Sequence, residues 1–164
     1  MAITGVQTFL WFNEEALDAA KFYVATFPNS CLKSVSHYQE GAQKPAGTVL
    51  VAEFDLFGQP FAALNGGPDF PHSEAVSFQI MCDTQDEVDQ LWTALTTYGG
   101  QESMCGWCKD RFGISWQIIP RRLGELLSHE DRAVSQYAFS QMMAMRKIVI
   151  EDLEIRAGTW ACPP

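Results

Sequence analysis

Positive charge is scarce in this sequence. Lys and Arg number 11 against 20 Asp and Glu, giving a formal net charge of −9 and a pI near 4.6. That balance disfavours nucleic acid and anionic membranes as partners, and neither is expected, because both are held by basic stripes that displace counterions. Long apolar runs are missing as well; none reaches the about 18 residues that a membrane-crossing helix requires. The N-terminal MAITGVQTFLWFNEE has neither a basic lead nor a small-residue cleavage site. No signal peptide is therefore expected, and a cytoplasmic location is. Cysteines are few and odd in number: Cys31, Cys82, Cys105, Cys108 and Cys162. An odd set without an export signal is not a disulfide framework, so the thiols are expected to be reduced. Histidine is rarer still, and the spacing of His37, His72 and His129 matches no metal motif.

What is present is an ordinary apolar content, 47 % of 164 residues, enough for one domain with a real core or for two repeated modules. The chain opens on a strand over 4–12. A period of two places Val6, Thr8, Leu10 and Phe12 on one face and Gln7, Phe9 and Trp11 on the other. Asn13 is a good N-cap for a helix running to about Phe27, with Glu14 and Glu15 in its first turn and Leu17, Ala20, Val24 and Phe27 on its buried face. Strands over 31–39, 48–56 and 60–64 follow. The pattern then starts again. Residues 74–82 alternate, with Val76, Phe78, Ile80 and Cys82 opposite Ser77 and Gln79. Thr84 to Glu87 reads as a capping box, with Asp83 competing, for a helix that buries Val88, Leu91, Trp92 and Leu95. Short strands lead to QESMCGWCKDRFGISWQIIP, where Ile114, Trp116 and Ile118 oppose Ser115 and Gln117. Leu17-Asp18 against Val88-Asp89, and Gln7 against Ser77, give an internal repeat of about seventy residues. Each copy is one strand, one helix and three strands.

After Pro120 the pattern turns helical: a short helix over 121–127, a longer one capped by Ser128 with Val134, Tyr137, Ala138, Met142 and Met145 on one face, and a last turn over 150–156. Such a Met-rich amphipathic tail packs on its own domain or on a sister subunit. The organisation expected is a duplicated domain over 1–120, with modules of about 1–68 and 69–120, followed by a helical extension over 121–164.

The repeat, together with TFLWF, AAKFYVATFPNS, GQPFAALNGGP, SFQI and CGWCKDRFGISWQIIP, resembles the vicinal oxygen chelate superfamily of glyoxalases, extradiol dioxygenases and bleomycin-resistance proteins. Within it the chain is similar to the PhnB-like group, many of whose members are labelled 3-demethylubiquinone-9 3-methyltransferase. The resemblance implies an α+β fold of two βαβββ modules, each a mixed half-barrel sheet with its helix outside and a cavity inside, and it implies a homodimer. In metal-using relatives the ligands are His and Glu at the start of each module's first strand and on its closing strand. The positions that match here are Gln7, Ser77, one of Ala63 or Asn65, and Gln117. Amides and a hydroxyl are poor transition-metal ligands beside imidazole, thiolate or carboxylate. No metal or other cofactor is therefore expected; a divalent ion held by Gln7, Gln117 and solvent or substrate oxygens is the weaker alternative.

The cavity-facing set then comprises Gln7, Phe9, Trp11, Phe61, Ala63 and Asn65 from the first module, and Ser77, Gln79, Ser115 and Gln117 from the second, with Trp11 and Trp107 as stacking surfaces. Uncharged donors and acceptors around aromatic rings suit a small planar or carbonyl-bearing molecule and offer little acid–base chemistry. The ligand-binding candidates are Gln7, Trp11, Asn65, Ser77, Gln79, Trp107, Ser115 and Gln117. Cys105-Gly-Trp-Cys108 lies in a strand pattern, without the helix N-terminus a redox pair needs; one structural thiol and one incidental thiol are expected. The alternative makes Cys105 a nucleophile beside Asp110. Asn65-Gly66-Gly67-Pro68 is a turn, since no helix follows and Pro68 lacks an amide donor. Nor does any glycine-rich strand–turn–helix support the methyltransferase label. Three functions stay open: a small-molecule binding or sequestering protein, a metal-assisted enzyme with Gln ligands, and a degenerate relative whose surface mediates association.

Overall fold

The computed structural model describes residues 4–154, which places Cys162 and the expected last turn beyond 154 outside the described residues. The chain divides into two compact units at His72/Ser73, and each is taken by itself. The first contains β1 (Thr8–Phe12), α1 (Ala16–Thr26), β2 (Ser30–His37), β3 (Val49–Leu56) and β4 (Gln59–Asn65). The second contains β5 (Phe78–Cys82), α2 (Gln85–Thr96), β6 (Gln101–Glu102), β7 (Trp107–Lys109) and β8 (Ser115–Pro120), then α3 (Arg121–Leu127), α4 (Arg132–Ala144) and α5 (Ile150–Leu153). The sheets run β1-β4-β3-β2 and β5-β8-β7-β6. In both, the first and last strands pair in parallel and the rest antiparallel. Two βαβββ modules of one topology are thus present, as the repeat and the resemblance imply. None of the described helices is long and apolar enough to cross a membrane.

In the first unit one sheet face packs on α1. Phe54 stacks on Phe61 at 5.4 Å, and Tyr23 of the helix lies 6.0 Å from Phe54. The helix differs from expectation at its start and in its rotation. Its N-cap is Glu15, not Asn13, and it makes no side-chain cap of its own. Ala16, Ala19, Ala20 and Tyr23 are the buried helical set, so of the four residues expected inside only Ala20 and the C-cap Phe27 are buried. Three alanines let the helix lie close to the sheet, which leaves Leu17 and Val24 on its flanks.

In the second unit α2 starts as the sequence indicates. Thr84 accepts from Glu87 N–H, and the Glu87 side chain accepts from the Asp83 and Thr84 amides. Val88, Trp92 and Leu95 of α2 are buried, as are Cys82, Trp116 and Ile118 of the sheet. The tail belongs to this unit. Ile119 forms a buried cluster with Leu123, Leu126, Ala138, Ile148 and Leu153, flanked by Val134, Met142 and Met145. Asp131, not Ser128, caps α4 by accepting from Ala133 N–H (2.8 Å), while Ser128 ends α3. The segment before α5 is held by Gln85, which donates to Ile148 O (3.1 Å) and accepts from Ile150 N–H (2.8 Å). It is also held by Cys105 and Gly106, whose amides donate to Met145 O and Arg146 O at 2.8 and 2.7 Å. Gly106 is obligatory there. Its φ is +81°, and a Cβ would meet Ile119 Cδ1 at 2.8 Å and Ile118 O at 2.9 Å.

Candidate functional site

Residues paired across a sheet share a face, so the register assigns each candidate to the helix side or to the open side. In the first unit Thr8, Leu10 and Phe12 pair with Phe61, Ala63 and Asn65. Leu10 and Phe12 are core residues, which puts all three partners on the helix side. This corrects the expectation that Phe61, Ala63 and Asn65 face a cavity. The reason is that β4 is buried at Phe61, Ala62 and Ala63 in succession; with both faces covered, the strand shows no alternation to read.

Asn65 has a structural task instead. Its Oδ1 accepts from Ala16 N–H (2.8 Å), its Nδ2 donates to Val49 O (3.0 Å), and its own carbonyl accepts from Tyr38 Oη (2.7 Å). It therefore supplies from 49 residues away the cap that α1 lacks locally. In the second module the register puts Pro120 at the matching place, opposite Cys82, where the Thr84 box makes a distant cap unnecessary. Asn65 thus leaves the ligand set. The loop after it is shaped by Trp11, whose indole N–H donates to Gly67 O (2.8 Å) and whose ring meets Phe70 edge-on at 4.9 Å. A Cβ on Gly66 would lie 2.2–2.5 Å from the Trp11 ring. The ALNGGP string is thus explained by a helix cap and an indole seat. Gln7 is exposed just ahead of β1, with Nε2 3.3 Å from Phe61 O.

The second unit is where candidates converge. Gln79 pairs with Gln117, Trp107 with Gln117, and Lys109 with Ser115. All five lie on the open side, opposite Trp116 and Ile118. Gln117 Nε2 donates to Ser77 Oγ (2.7 Å), and Gln79 Nε2 donates to Gln117 Oε1 (3.1 Å). Ile119 continues this face and is covered by the tail cluster, which closes one end. At the Ser115 end lies a cavity of about 120 Å³ whose lining includes Glu74, Glu102, Trp107, Lys109 and Ser115. Ser115 is 2 % exposed, and its Oγ makes no hydrogen bond to any described protein group. Lys109 Nζ sits 2.6 Å from Glu74 Oε1. The pairing draws the Glu74 carboxyl below its ordinary range, chiefly through the hydrogen bond from Lys109. Lys109 and Glu74 escape sequence reasoning because they lie on different segments, and nothing local pairs them.

Asp110 is buried, but both its oxygens hold the turn into β8. Oδ1 accepts from Phe112 N–H and Ile114 N–H (2.8 and 3.1 Å), and Oδ2 from Trp116 Nε1 (2.8 Å). A carboxylate so committed does not serve Cys105 as a base, which corrects that alternative. Cys105 itself is half-buried in the turn before β7, with Sγ 3.8 Å from Met143 Sδ. Cys108 is buried, and desolvation pushes its thiol up to about 12, while Cys82 rises to about 11 for the same reason. Both stay protonated at neutral pH. Neither is a nucleophile.

A metal does not fit the second module's donors. The Gln117 amide oxygen already accepts from Gln79 Nε2 and the Ser77 hydroxyl from Gln117 Nε2, and neither is anionic. Among the described residues no group of three or more His, Cys, Asp or Glu is placed to hold an ion.

A family model described as 3-demethylubiquinone-9 3-methyltransferase matches residues 4–119. Among solved structures, the chain is similar to a Bacillus cereus protein named "Putative 3-demethylubiquinone-9 3-methyltransferase, PhnB protein". The two are 31 % identical over 71 % of this chain and 99 % of that one, with a TM-score of 0.65. A Pseudomonas aeruginosa protein, 20 % identical over 72 % of this chain and 98 % of its own, has a TM-score of 0.57 and shares the fold. No curated protein matches the chain.

Proposed function

The chain belongs to the 3-demethylubiquinone-9 3-methyltransferase (PhnB-like) family, and from that premise we propose that the open face of its second module binds a small, flat, carbonyl-bearing molecule. Ser115 carries the reading. A buried hydroxyl without a partner costs about 1–3 kcal/mol; Ser115 lines a cavity beside Trp107 while its own oxygen is turned away from the open space. A bound molecule that donates to or accepts from Ser115 Oγ removes that cost, and the indole supplies a flat apolar wall. Next along the face, the Ser77–Gln117–Gln79 chain offers amide donors and acceptors without charge.

Size narrows the class. At about 120 Å³ the cavity falls short of the roughly 300 Å³ at which pockets for drug-sized ligands begin, so it suits a single ring or smaller. A methyl-transfer cofactor with its acceptor exceeds that volume, and the family's description does not match what this cavity accommodates. The cavity's charged groups are already paired, Lys109 with Glu74 and Glu102 with Trp92 and Arg146, and its buried thiol stays protonated, which favours binding or sequestration over acid–base or covalent chemistry. The resemblance also implies a homodimer. The exposed Phe139 and Met143 of α4 and nearby Met104 support such a pairing surface, since α4 otherwise buries only Ala138 fully.

The test is a thermal-shift screen of single-ring amides and carbonyl compounds against wild type, Ser115→Ala and Gln117→Leu. A ligand at about 100 times its Kd stabilises by about 2.7 kcal/mol, and both variants should lose most of that. Stabilisation unchanged in both variants, or absent throughout in wild type, would sink the reading.

A further inference from the structure

Of the described residues lining the Ser115 cavity, Lys109 alone is cationic. It stands directly across the β7–β8 pair from Ser115, so the residues carrying an ammonium and an unpartnered buried hydroxyl line one space, with Trp107 two residues away on the same side of β7. The ammonium is already covered. Glu74 Oε1 lies 2.6 Å from Lys109 Nζ; the Glu74 side chain is 67 % exposed and that of Lys109 only 26 %. Glu74 precedes β5 in an irregular segment, so its carboxylate can swing into solvent without disturbing a strand. Glu102 also lines the cavity, but it is spent elsewhere: Oε1 accepts from Trp92 Nε1 (2.9 Å), and Oε2 is 3.7 Å from Arg146 Nη1.

We propose that the cavity is selective for a small flat carboxylate, which takes the place of Glu74 on Lys109 and accepts a hydrogen bond from Ser115 Oγ once a turn of the serine side chain brings the hydroxyl to the cavity wall. The inference deepens the proposed function and rests on its placement of the ligand. The Lys109–Glu74 pair is open to solvent on its Glu74 side, where water and side-chain entropy compete with it and keep its net contribution to stability small. Exchange of one carboxylate for another is therefore near balance electrostatically. The incoming group gains what Glu74 lacks: a charge-assisted bond to the buried hydroxyl and contact with the indole. A neutral amide of the same shape cannot displace Glu74 and meets only Ser115. Glu74 thus acts as a resident competitor, screening out weakly held anions.

Benzoate and benzamide differ in charge and little else, and their binding can be followed by the amide resonances of 115–117 in the full chain. Wild type should bind benzoate at least tenfold more tightly than benzamide. Glu74→Gln should tighten benzoate about three- to fivefold, the loss of one weak competing pair, and leave benzamide unchanged. Lys109→Met should abolish the preference and Lys109→Arg should keep it; if the methionine variant does not fold, the other two decide. Equal binding of both probes by wild type, a preference that survives Lys109→Met, or a Glu74→Gln variant that binds benzoate no better would overturn carboxylate selectivity and leave a neutral ligand site standing. Failure of both probes to perturb 115–117 would overturn the selectivity and the placement together.

Discussion

Replacing Ser115 by Ala should make the free protein more stable while it weakens ligand binding. Ser115 Oγ is buried and unpartnered among the described residues, so the native state carries the desolvation cost of a hydroxyl, about 1–3 kcal/mol. Alanine removes that cost. Against it stands a small loss of packing from one oxygen atom next to an existing cavity, below the about 0.8 kcal/mol of a buried methylene. The balance is a gain of about 0.5–2 kcal/mol. Strand propensity opposes it by a few tenths at most, since the whole scale spans about 1 kcal/mol. Urea unfolding followed by Trp fluorescence reads this directly, with the midpoint moving up at unchanged slope. A Ser115→Ala variant destabilised by about 1 kcal/mol or more would show that the hydroxyl holds a structural hydrogen bond. The argument from its unpaired state would then fail. A site residue whose removal stabilises the fold is what a stability–function trade-off looks like at the level of one atom.

Other variants test other parts of the account. Asn65→Ala should cost about 2–4 kcal/mol, because it orphans both Ala16 N–H and Val49 C=O; Thr84→Ala, which leaves a solvated helix start, should cost about 1 kcal/mol. Equal losses in urea unfolding would contradict the distant cap. Gly66→Ala should destabilise by about 1–3 kcal/mol by forcing its Cβ against the Trp11 ring, and a Trp11→Leu background should relieve most of that. The buried thiols predict an alkaline loss of stability. Cys108 keeps its proton to about 12, against an ordinary 9.0, while the unfolded chain ionises from about pH 9. The native state therefore binds the extra proton, and the stability from this group is full below pH 9 and lost as pH rises toward 12. Cys108→Ala should flatten that part of the stability–pH curve relative to wild type; identical slopes would refute the assignment.

Legibility in the sequence followed how local each determinant is. The two modules, the Thr84 capping box and the two-faced β8 were readable because their signals lie within one element. Ser77, Gln79, Ser115 and Gln117 do share a face, as the alternation indicates. What escaped depends on partners far along the chain. Helix α1 begins at Ala16 rather than after Asn13 because its cap comes from Asn65. The face of β4 is not legible in the sequence because Phe61, Ala62 and Ala63 are all buried, leaving no polar contrast. Asp110 looked like chemistry and is the anchor of a turn. The Lys109–Glu74 pair closes across a separation that no periodicity marks.

The most direct test of the proposed site uses its own tryptophan. Three indole N–H groups are committed inside the fold: Trp11 to Gly67 O, Trp92 to Glu102 and Trp116 to Asp110. Trp107 lines the cavity. In proton–nitrogen spectra with assigned indole signals, benzoate added to wild type should shift the Trp107 resonance and leave those of Trp11 and Trp116 in place. Ser115→Ala should blunt the shift. A response at Trp11 with Trp107 unmoved would contradict the account and place the ligand on the first module instead.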